Sequence, residues 1–319
     1  ILGNMTNKEL YREFCLHTSE LPIFMQDWWM DAVCAGKQWD VLLSFNENGS
    51  IQAALPYLLS KRLWMRYIVM PQQTQIGGIW MSKEVATNPE KVGSICQQFV
   101  EQLAALKLHY YYQHYPIHST AIEAMCAQGF KAKERITYRI EDLSDLDKVI
   151  NAFSKNKKRQ LQKALSLHVE MNMTVEDFYR FHTQCLQNQD KHISYTREFL
   201  LVLERKAHRL NQCQILSICN ADNEVLAAAF LVWDQHSMYY LIPCYNPQYK
   251  DSGASALLAL EAIKLARQKG VSFDFEGSMI RGVANHYKQF GSTRTIYYSV
   301  ERYYKWYFWF ANMYNRIRQ

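Results

Sequence analysis

The 319-residue sequence lacks long apolar runs, paired cysteines and stretches rich in glycine or proline. Its apolar runs, such as 225–233, are far too short to cross a bilayer, and no signal peptide is visible. The 12 glycines and 7 prolines argue against low complexity. The eight cysteines form no CxxC pair, which is typical of buried free thiols in a reducing compartment. These absences predict a soluble cytoplasmic protein.

Motifs of several catalytic classes are also missing from the sequence. It contains no GxSxG elbow, Walker loop or GxGxxG stretch. His109, His114 and His118 lie close together, but Pro116 interrupts any helical pairing, so no metal site is predicted. The formal net charge of +6 favours an anionic ligand without requiring nucleic acid, and DNA is not an expected partner.

The chain is long enough for two domains, and 49% of its residues are hydrophobic. Its two halves repeat one order of predicted elements: paired helices, a group of strands, a long helix, a strand, a short helix and a final strand. From Tyr110 to Gly129 and from Phe273 to Gly291 the spacing is nearly the same. This repetition predicts an internal duplication. The predicted parts are an N-terminal domain at 1–143, a linking helix within 144–172 and a C-terminal domain at 173–319.

The stretch 273–298 carries the strongest pattern for a chemical site. Alternation predicts a half-buried strand, with Asp274 and Glu276 on its polar face, and Gly277 ends it. Ser278 is placed to cap a short helix that runs to about residue 290. Two carboxylates beside a helix N-terminus are candidates for acid–base chemistry, although such a pair is also typical of a solvated strand end.

A basic helix is predicted at 144–166, between the two halves. Lys155, Arg159 and Lys163 recur at helical spacing with Lys158 beside them, and no acidic residue interrupts the run. This face is expected either to line a cleft between the domains and hold an anion, or to be a solvated surface stripe.

The run NKKRQLQKA (156–164), FDFEG (273–277) and YKQFG (287–291) resemble motifs of the GNAT superfamily and, more narrowly, of the Fem-type peptidyltransferases. The resemblance implies an α/β (α+β) fold of two tandem GNAT-like domains, each a mixed central sheet flanked by helices. It also implies an N-acyltransferase without a covalent enzyme intermediate. Fem-type enzymes pass aminoacyl groups from charged tRNA to an amine of a peptidoglycan precursor, and related proteins use other acyl donors.

The resemblance and the local pattern together suggest roles for particular residues. Glu276 is the favoured base with Asp274 as the second candidate, and Lys288 or Tyr287 would stabilise the oxyanion or the leaving group. Candidates for binding donor or acceptor are Lys155, Lys158, Arg159, Lys163, Tyr245, Gly253, Ala254 and Ser278. The expected acceptor is an anionic small molecule or peptide-linked substrate, and the expected donor is aminoacyl-tRNA or acyl-CoA.

Two departures from the family patterns leave alternatives open. Lys288 lies one place closer to the phenylalanine than in the best-known peptidyltransferases, and Asp251 stands where the acyl-CoA loop of GNAT enzymes has glycine. Asp251 at the mouth of the helix at 254–269 should repel a pyrophosphate, which predicts weak coenzyme A binding. The alternatives are an acyl-CoA-dependent N-acetyltransferase and a non-catalytic module that binds an anionic ligand. The aromatic tail at 303–319 is expected to dock as a helix, with peripheral membrane contact as its alternative.

Overall fold

The computed structural model describes residues 5–34, 36–277, 279 and 281–305. Contacts divide the chain into two compact units, one containing the described residues of 1–135 and 296–319 and the other containing those of 136–295. The chain passes from one unit to the other inside two strands, β6 (Lys131–Ile140) and β12 (Thr293–Tyr303). These units do not share the predicted bounds at 143 and 172, and the predicted three-part division stays a prediction.

The first unit contains helices and strands in the order that its sequence pattern predicts. Its helices are α1 (Asn7–His17), α2 (Asp27–Val33), α3 (Lys83–Ala86), α4 (Pro89–Ala105) and α5 (Ala121–Ala127). Its strands, apart from those shared along the chain, are β1 (Trp39–Phe45), β2 (Ile51–Arg62), β3 (Met65–Val69), β4 (Trp80–Met81) and β5 (Tyr110–His114). The longest helix starts at the expected signal, because the Asn88 side chain caps α4 and proline follows it.

The second unit is built in the same way. Its helices are α6 (Leu146–Asn151), α7 (Lys155–Lys163), α8 (Val175–Gln187), α9 (Arg197–Arg209), α10 (Ala254–Lys269) and α11 (Arg281–Lys288). Its strands are β7 (His168–Glu170), β8 (Cys213–Cys219), β9 (Val225–Trp233), β10 (Ser237–Tyr245) and β11 (Ser272–Asp274).

The two units have the same strand order. In the first, β1, β2 and β3 pair antiparallel, β3 pairs parallel with β5, and β5 pairs antiparallel with β12. In the second, β8, β9 and β10 pair antiparallel, β10 pairs parallel with β11, and β11 pairs antiparallel with β6. A long helix, α4 or α10, makes the crossover that each parallel step requires. The predicted tandem fold of matching mixed sheets is confirmed.

The last strand of each sheet comes from the other half of the sequence. β12 ends the chain's second half but pairs with β5, while β6 ends the first half but pairs with β11. This exchange explains why the compact units cut across the halves of the sequence.

Each unit has its own apolar core. In the first, α4 packs on the sheet through Ile95, Phe99 and Leu103. In the second, α10 buries most of its alanines and leucines, as the narrow polar stripe of its sequence predicts. None of the helices that the structure describes is both long and apolar enough to cross a membrane.

Several local predictions are wrong. The basic helix at 144–166 is two helices, because Ser154 has extended backbone angles and its hydroxyl caps α7 at the Lys157 N–H. The sequence patterns at 76–81 and 22–35 favour one strand and one helix, but the first stretch forms only β4 and the second forms a 3₁₀ turn (Ile23–Met25) followed by α2. Of the eight cysteines, all free, Cys126 is exposed and Cys15 half-buried, so not every thiol is buried.

The half-buried strand predicted at 273–276 is also wrong. β11 ends at Asp274, and Phe273, Asp274 and Phe275 are all fully buried. β11 is paired on both edges, one of them parallel, and such a strand is buried on both faces. The alternation of apolar and acidic residues therefore does not indicate which side chains are exposed. Ser278 and residues 306–319 of the predicted tail helix lie outside the described residues.

Candidate functional site

A pocket of about 350 Å³ opens in the second unit, between the end of β10, the start of α10 and one face of α11. Aromatic and apolar side chains dominate its wall, and a few polar groups converge on it. Its lining residues are Tyr240, Pro243, Cys244, Tyr245, Ser255, Leu258, Gly282, Val283, His286 and Tyr287. An apolar wall with a few polar groups is the usual composition of a small-molecule site.

Glu276 is the most perturbed acid near this pocket. It follows β11 with a left-handed backbone, φ +51°, which turns it out of the strand direction. Its Oε1 atom is shielded from solvent and has no hydrogen-bond partner among the described residues. Burial, and to a lesser extent the charge of Asp274, raises the pKa of Glu276 well above its usual value. The carboxyl group therefore holds its proton more strongly than an ordinary glutamate.

Asp274, the second acid, is held by the protein itself. Its Oδ1 accepts hydrogen bonds from the Thr137 hydroxyl at 2.5 Å and from the Glu276 N–H at 2.7 Å. Arg139 approaches its other oxygen at 3.8 Å. The Thr137 hydroxyl oxygen also accepts from the Gly277 N–H, and a Cβ on Gly277 would lie 1.9 Å from the Ile136 carbonyl oxygen. Asp274 and Gly277 thus fix the loop that carries Glu276.

Tyr287 links Glu276 to the pocket. Its ring is buried against Phe275, with the ring centroids 4.8 Å apart, and it forms part of the pocket wall. Burial, then the nearby charge of Glu276, raises the pKa of the Tyr287 phenol. Tyr287 is therefore a neutral hydrogen-bond donor at the wall of the pocket.

A buried lysine stands behind His286 on the same wall. Lys157 is only 1% exposed, and its Nζ lies 3.1 Å from His286 Nδ1 and 3.0 Å from Gln160 Oε1. Burial lowers the pKa of Lys157 to about 8, so the ammonium form still prevails at neutral pH. Burial and Lys157 lower the pKa of His286 to about 4, so the imidazole is neutral.

The contact with Lys157 indicates which ring nitrogen of His286 carries the proton. An ammonium group has donors only, so Nδ1 of the imidazole accepts, and the hydrogen-bond pattern assigns the ring proton to Nε2. A neutral imidazole with an Nε2–H can donate to a carbonyl oxygen without supplying a full charge.

The sequence-predicted residues divide into two groups. Tyr245 and Tyr287 line the pocket, and Gly253 and Ala254 begin α10 beside the lining residue Ser255. The remaining cations and Lys288 lie outside the described pocket wall: Lys155, Lys163 and Lys288 are exposed, Lys158 donates to the Asn151 carbonyl, and Arg159 donates to Asn156.

Lys157 and His286 were not selected as site residues from the sequence. One signal for Lys157 was present, because it lies four positions before Leu161 and seven before the buried Ala164, on the inner face of α7. A lysine on an apolar helix face is a candidate for a buried charge. His286 offered no comparable local signal, since its partner comes from an element about 130 residues away.

The start of α10 is closely covered by α7. Gly253 has φ +85°, and a Cβ there would lie 2.1 Å from the Gln160 carbonyl oxygen. A carbonyl oxygen at this position, together with the exposed Asp251 two residues earlier, places negative charge where a GNAT enzyme would bind pyrophosphate. In the part of the chain that the structure describes, no cluster of three or more His, Cys, Asp or Glu could hold a metal ion.

The strand order and the crossover helices give the chain a fold of two matching GNAT-like sheets. Residues 151–289 match the family model described as an acetyltransferase (GNAT) domain. This match falls wholly in the unit that holds the pocket.

Solved structures of the same fold cover nearly the whole chain. FemX matches with a TM-score of 0.71 at 14% identity, over 99% of each chain. The C-terminal domain of a putative lysylphosphatidylglycerol synthetase from Agrobacterium fabrum matches with a TM-score of 0.55 at 14% identity, over 93% of this chain and 92% of that one. A tandem GNAT protein from the clavulanic acid biosynthesis pathway matches with a TM-score of 0.54 at 10% identity, over 92% of this chain and 93% of that one. No curated protein matches the sequence.

Proposed function

We propose that this protein is an N-acyltransferase that moves an aminoacyl or acyl group onto an amine of an anionic acceptor, such as a cell-wall precursor. The observation that carries the proposal is the Glu276 carboxyl group, whose Oε1 is shielded from solvent and whose charge acts on Tyr287, a neutral donor in the pocket wall. A raised pKa brings this carboxyl group closer to the proton affinity that a base for an ammonium needs.

The reaction is a direct displacement at the acyl carbon. The amine nitrogen attacks the carbonyl carbon of an ester or thioester, a C–N bond forms, and the C–O or C–S bond breaks. The ionised Glu276 carboxylate takes a proton from the amine. The resulting carboxylic acid then gives that proton to the leaving oxygen or sulfur. No covalent enzyme intermediate is needed, so the protein's tasks are to align the reactants and to handle one proton.

The developing oxyanion requires hydrogen-bond donors that are already in place. Tyr287 and His286 offer an O–H and an N–H at the pocket wall, and Lys157 keeps the imidazole in the donor tautomer. Of the two partners predicted from the sequence, Tyr287 is favoured because it lines the pocket while Lys288 is exposed.

The cations of α7 would receive the phosphates of donor or acceptor. Lys155, Lys158, Arg159 and Lys163 form its outer face, and α7 contains no acid. The negative charge at the start of α10 favours aminoacyl-tRNA over acyl-CoA as donor. Acyl-CoA-dependent N-acetylation is the second candidate, because the matched domain model is that of an acetyltransferase.

Transfer assays with two donors test the proposal. The purified chain is incubated with radiolabelled aminoacyl-tRNA or acetyl-CoA and UDP-linked sugar peptides carrying a free amine, and the amide product is identified by mass spectrometry. Glu276→Gln should abolish the transfer, and Glu261→Gln, which changes an acid paired with Lys264 on α10, should not.

The outcome distinguishes the three functions. A product that forms with acetyl-CoA but not with aminoacyl-tRNA supports the acetyltransferase. Thermal stabilisation by tRNA or by the UDP-peptide without any product supports a non-catalytic binding module.

A further inference from the structure

The tip of the β2–β3 hairpin in the first unit has an unusual composition. Arg62 pairs with Met65 across the hairpin, so the turn consists of Leu63 and Trp64 alone. Leu63 is 87% exposed and Trp64 is 63% exposed. Two large apolar side chains therefore stand at the most projecting point of a polar hairpin end.

This composition is unfavourable for the turn itself. Two-residue hairpin turns favour glycine, asparagine or aspartate, because at least one central residue has positive φ. Here Leu63 has that conformation, φ +55°, at a cost that glycine would not incur. The Trp64 ring meets the His109 ring edge-on, at 5.2 Å between centroids, and 63% of Trp64 is still exposed. Turn geometry does not account for a leucine and a tryptophan at these two positions.

Cations surround the tip. Lys61 and Arg62 precede it and are exposed, and the exposed Lys107 lies two residues before His109. The exposed Lys305 follows Tyr304, whose N–H donates to the His109 carbonyl.

Acidic residues are distant from the tip along the chain. The sequence contains no Asp or Glu between Glu47 and Glu84. On the neighbouring strand, Asp40 pairs with Tyr57, five residues and therefore about 16 Å along β2 from Arg62. The charged residues next to the tip along the hairpin, Lys61, Arg62 and Arg66, are thus all cations.

We propose that the Leu63–Trp64 tip docks this protein onto an anionic lipid membrane, with Trp64 and Leu63 in the interfacial layer and the cations on the lipid phosphates. A tryptophan with apolar neighbours is favoured at the boundary between headgroups and acyl chains. Lysine and arginine beside it gain from the negative surface potential of anionic lipids. A projecting two-residue tip offers a protein partner no groove, whereas a fluid interface adapts to it. The proposal does not depend on the proposed transferase activity.

Vesicle flotation tests the docking directly. The whole chain is mixed with vesicles of phosphatidylcholine and phosphatidylglycerol in equal parts, or of phosphatidylcholine alone. The protein should float with the anionic vesicles and be released by high salt. Leu63→Gly combined with Trp64→Asn should lose flotation by at least tenfold and leave the melting temperature unchanged or higher, because this pair suits the turn.

Matched variants distinguish the effect of the tip residues from the effect of charged or apolar residues elsewhere on the surface. Lys61→Glu with Arg62→Glu should weaken flotation about tenfold or more, since each cation near an anionic surface contributes about 1 kcal/mol and each is reversed rather than removed. Arg205→Glu with Arg209→Glu on α9 makes the same charge change elsewhere and should not. Leu165→Asn, at another exposed leucine, is the apolar control.

Either of two results would overturn the proposal. One is flotation of the Leu63→Gly, Trp64→Asn variant equal to that of the unaltered protein, which would assign membrane binding to another part of the chain. The other is an unaltered protein that stays with neither kind of vesicle at low salt.

Discussion

The two units share a strand order but differ in what they bury where the crossover strand ends. In the first unit, β5 is followed by Tyr115, which belongs to a network of neutral groups. The Tyr111 hydroxyl donates to Gln113 Oε1 and lies 3.1 Å from the Tyr115 hydroxyl, and the Gln113 side-chain amide donates to the Pro56 carbonyl at 2.9 Å. In the second unit, β11 ends in Asp274, and Glu276 follows with an unpaired Oε1 among the described residues.

This difference distinguishes a hydrogen-bonded network of neutral groups from the proposed reactive centre. A satisfied network of neutral groups stabilises a core and has no capacity to exchange protons near neutral pH. Acids and bases with strongly shifted pKa values are candidates for functional sites, whereas a buried carboxylate that is paired, such as Glu301 with Lys133 in the first unit, is accounted for by its partner. The proton transfer proposed for Glu276 lies in the unit that contains the matched residues 151–289.

The largest expected effect is on turnover. Glu276→Gln keeps the size of the side chain but removes the base, and turnover should fall by roughly 10²–10⁴ with little change in stability. Tyr115→Phe, at the corresponding place of the first unit, should leave turnover within a factor of about two, because no proton is exchanged there. Steady-state kinetics on both variants measures the contrast. Equal losses would mean that the first unit also takes part in the reaction.

The second effect is on stability, with opposite signs in the two units. Lys157→Met should raise the free energy of unfolding at pH 7 by up to about 3 kcal/mol, the free energy that corresponds to a pKa lowered from 10.5 to about 8. Lys133→Met in the first unit should instead lower it by about 1 kcal/mol or more, because Lys133 is 2.8 Å from the buried Glu301.

The pH dependence checks the sign for Lys157. Its pKa is lower in the folded state, so between pH 8 and 10.5 the unfolded chain binds more protons, and the stability of the unaltered protein should rise with pH. Lys157→Met should lose that rise. Urea unfolding at several pH values measures both slopes, and parallel slopes in the two proteins would contradict a buried ammonium.

The sequence predicted what local pattern encodes. The sequence pattern favours a strand at 225–233 and a helix with one polar stripe at 254–269, and β9 and α10 have these bounds, because the two patterns differ in period. Glu276, Tyr287 and Tyr245 were selected as candidates, and Tyr245 and Tyr287 line the pocket. The strand exchange between the halves could not be predicted, because pairing between β5 and β12 joins residues nearly 190 positions apart.

The missed pair shows the limit in physical terms. Lys157 differs from Lys158 only in the direction in which α7 presents it, and α7 begins after its N-cap Ser154, beyond the end of α6 at Asn151. Because a single helix was predicted at 144–166, the sequence pattern did not indicate where α7 begins or which of its lysines faces inward. The low pKa of His286 arises from burial and from Lys157, a partner on another element, and no local window of sequence contains both.

The third effect is on anion binding. Lys158→Glu with Arg159→Glu should weaken the binding of pyrophosphate and uncharged tRNA by about tenfold or more and reduce its salt dependence, because phosphate contacts are salt-sensitive. The gain per contact is modest for side chains at the surface. Lys61→Glu with Arg62→Glu, the same change in the first unit, serves as control and should leave pyrophosphate binding unchanged. If calorimetry finds the same affinity for pyrophosphate in the two double variants, α7 is a solvated surface helix and not an anion site.

The smallest expected effect concerns coenzyme A at the start of the crossover helix. Asp251 and the Gln160 carbonyl place negative charge at the N-terminus of α10, whose free N–H groups would otherwise favour pyrophosphate. Asp251→Gly should tighten acetyl-CoA binding about two- to fivefold, the range for one charge near a helix terminus. Glu90→Gln, in the first turn of α4, removes an acid at the corresponding helix of the first unit and should have no effect. Calorimetry with acetyl-CoA measures both effects. Tight binding by the unaltered protein would show that the α10 terminus accepts pyrophosphate despite Asp251, and it would favour the acetyltransferase.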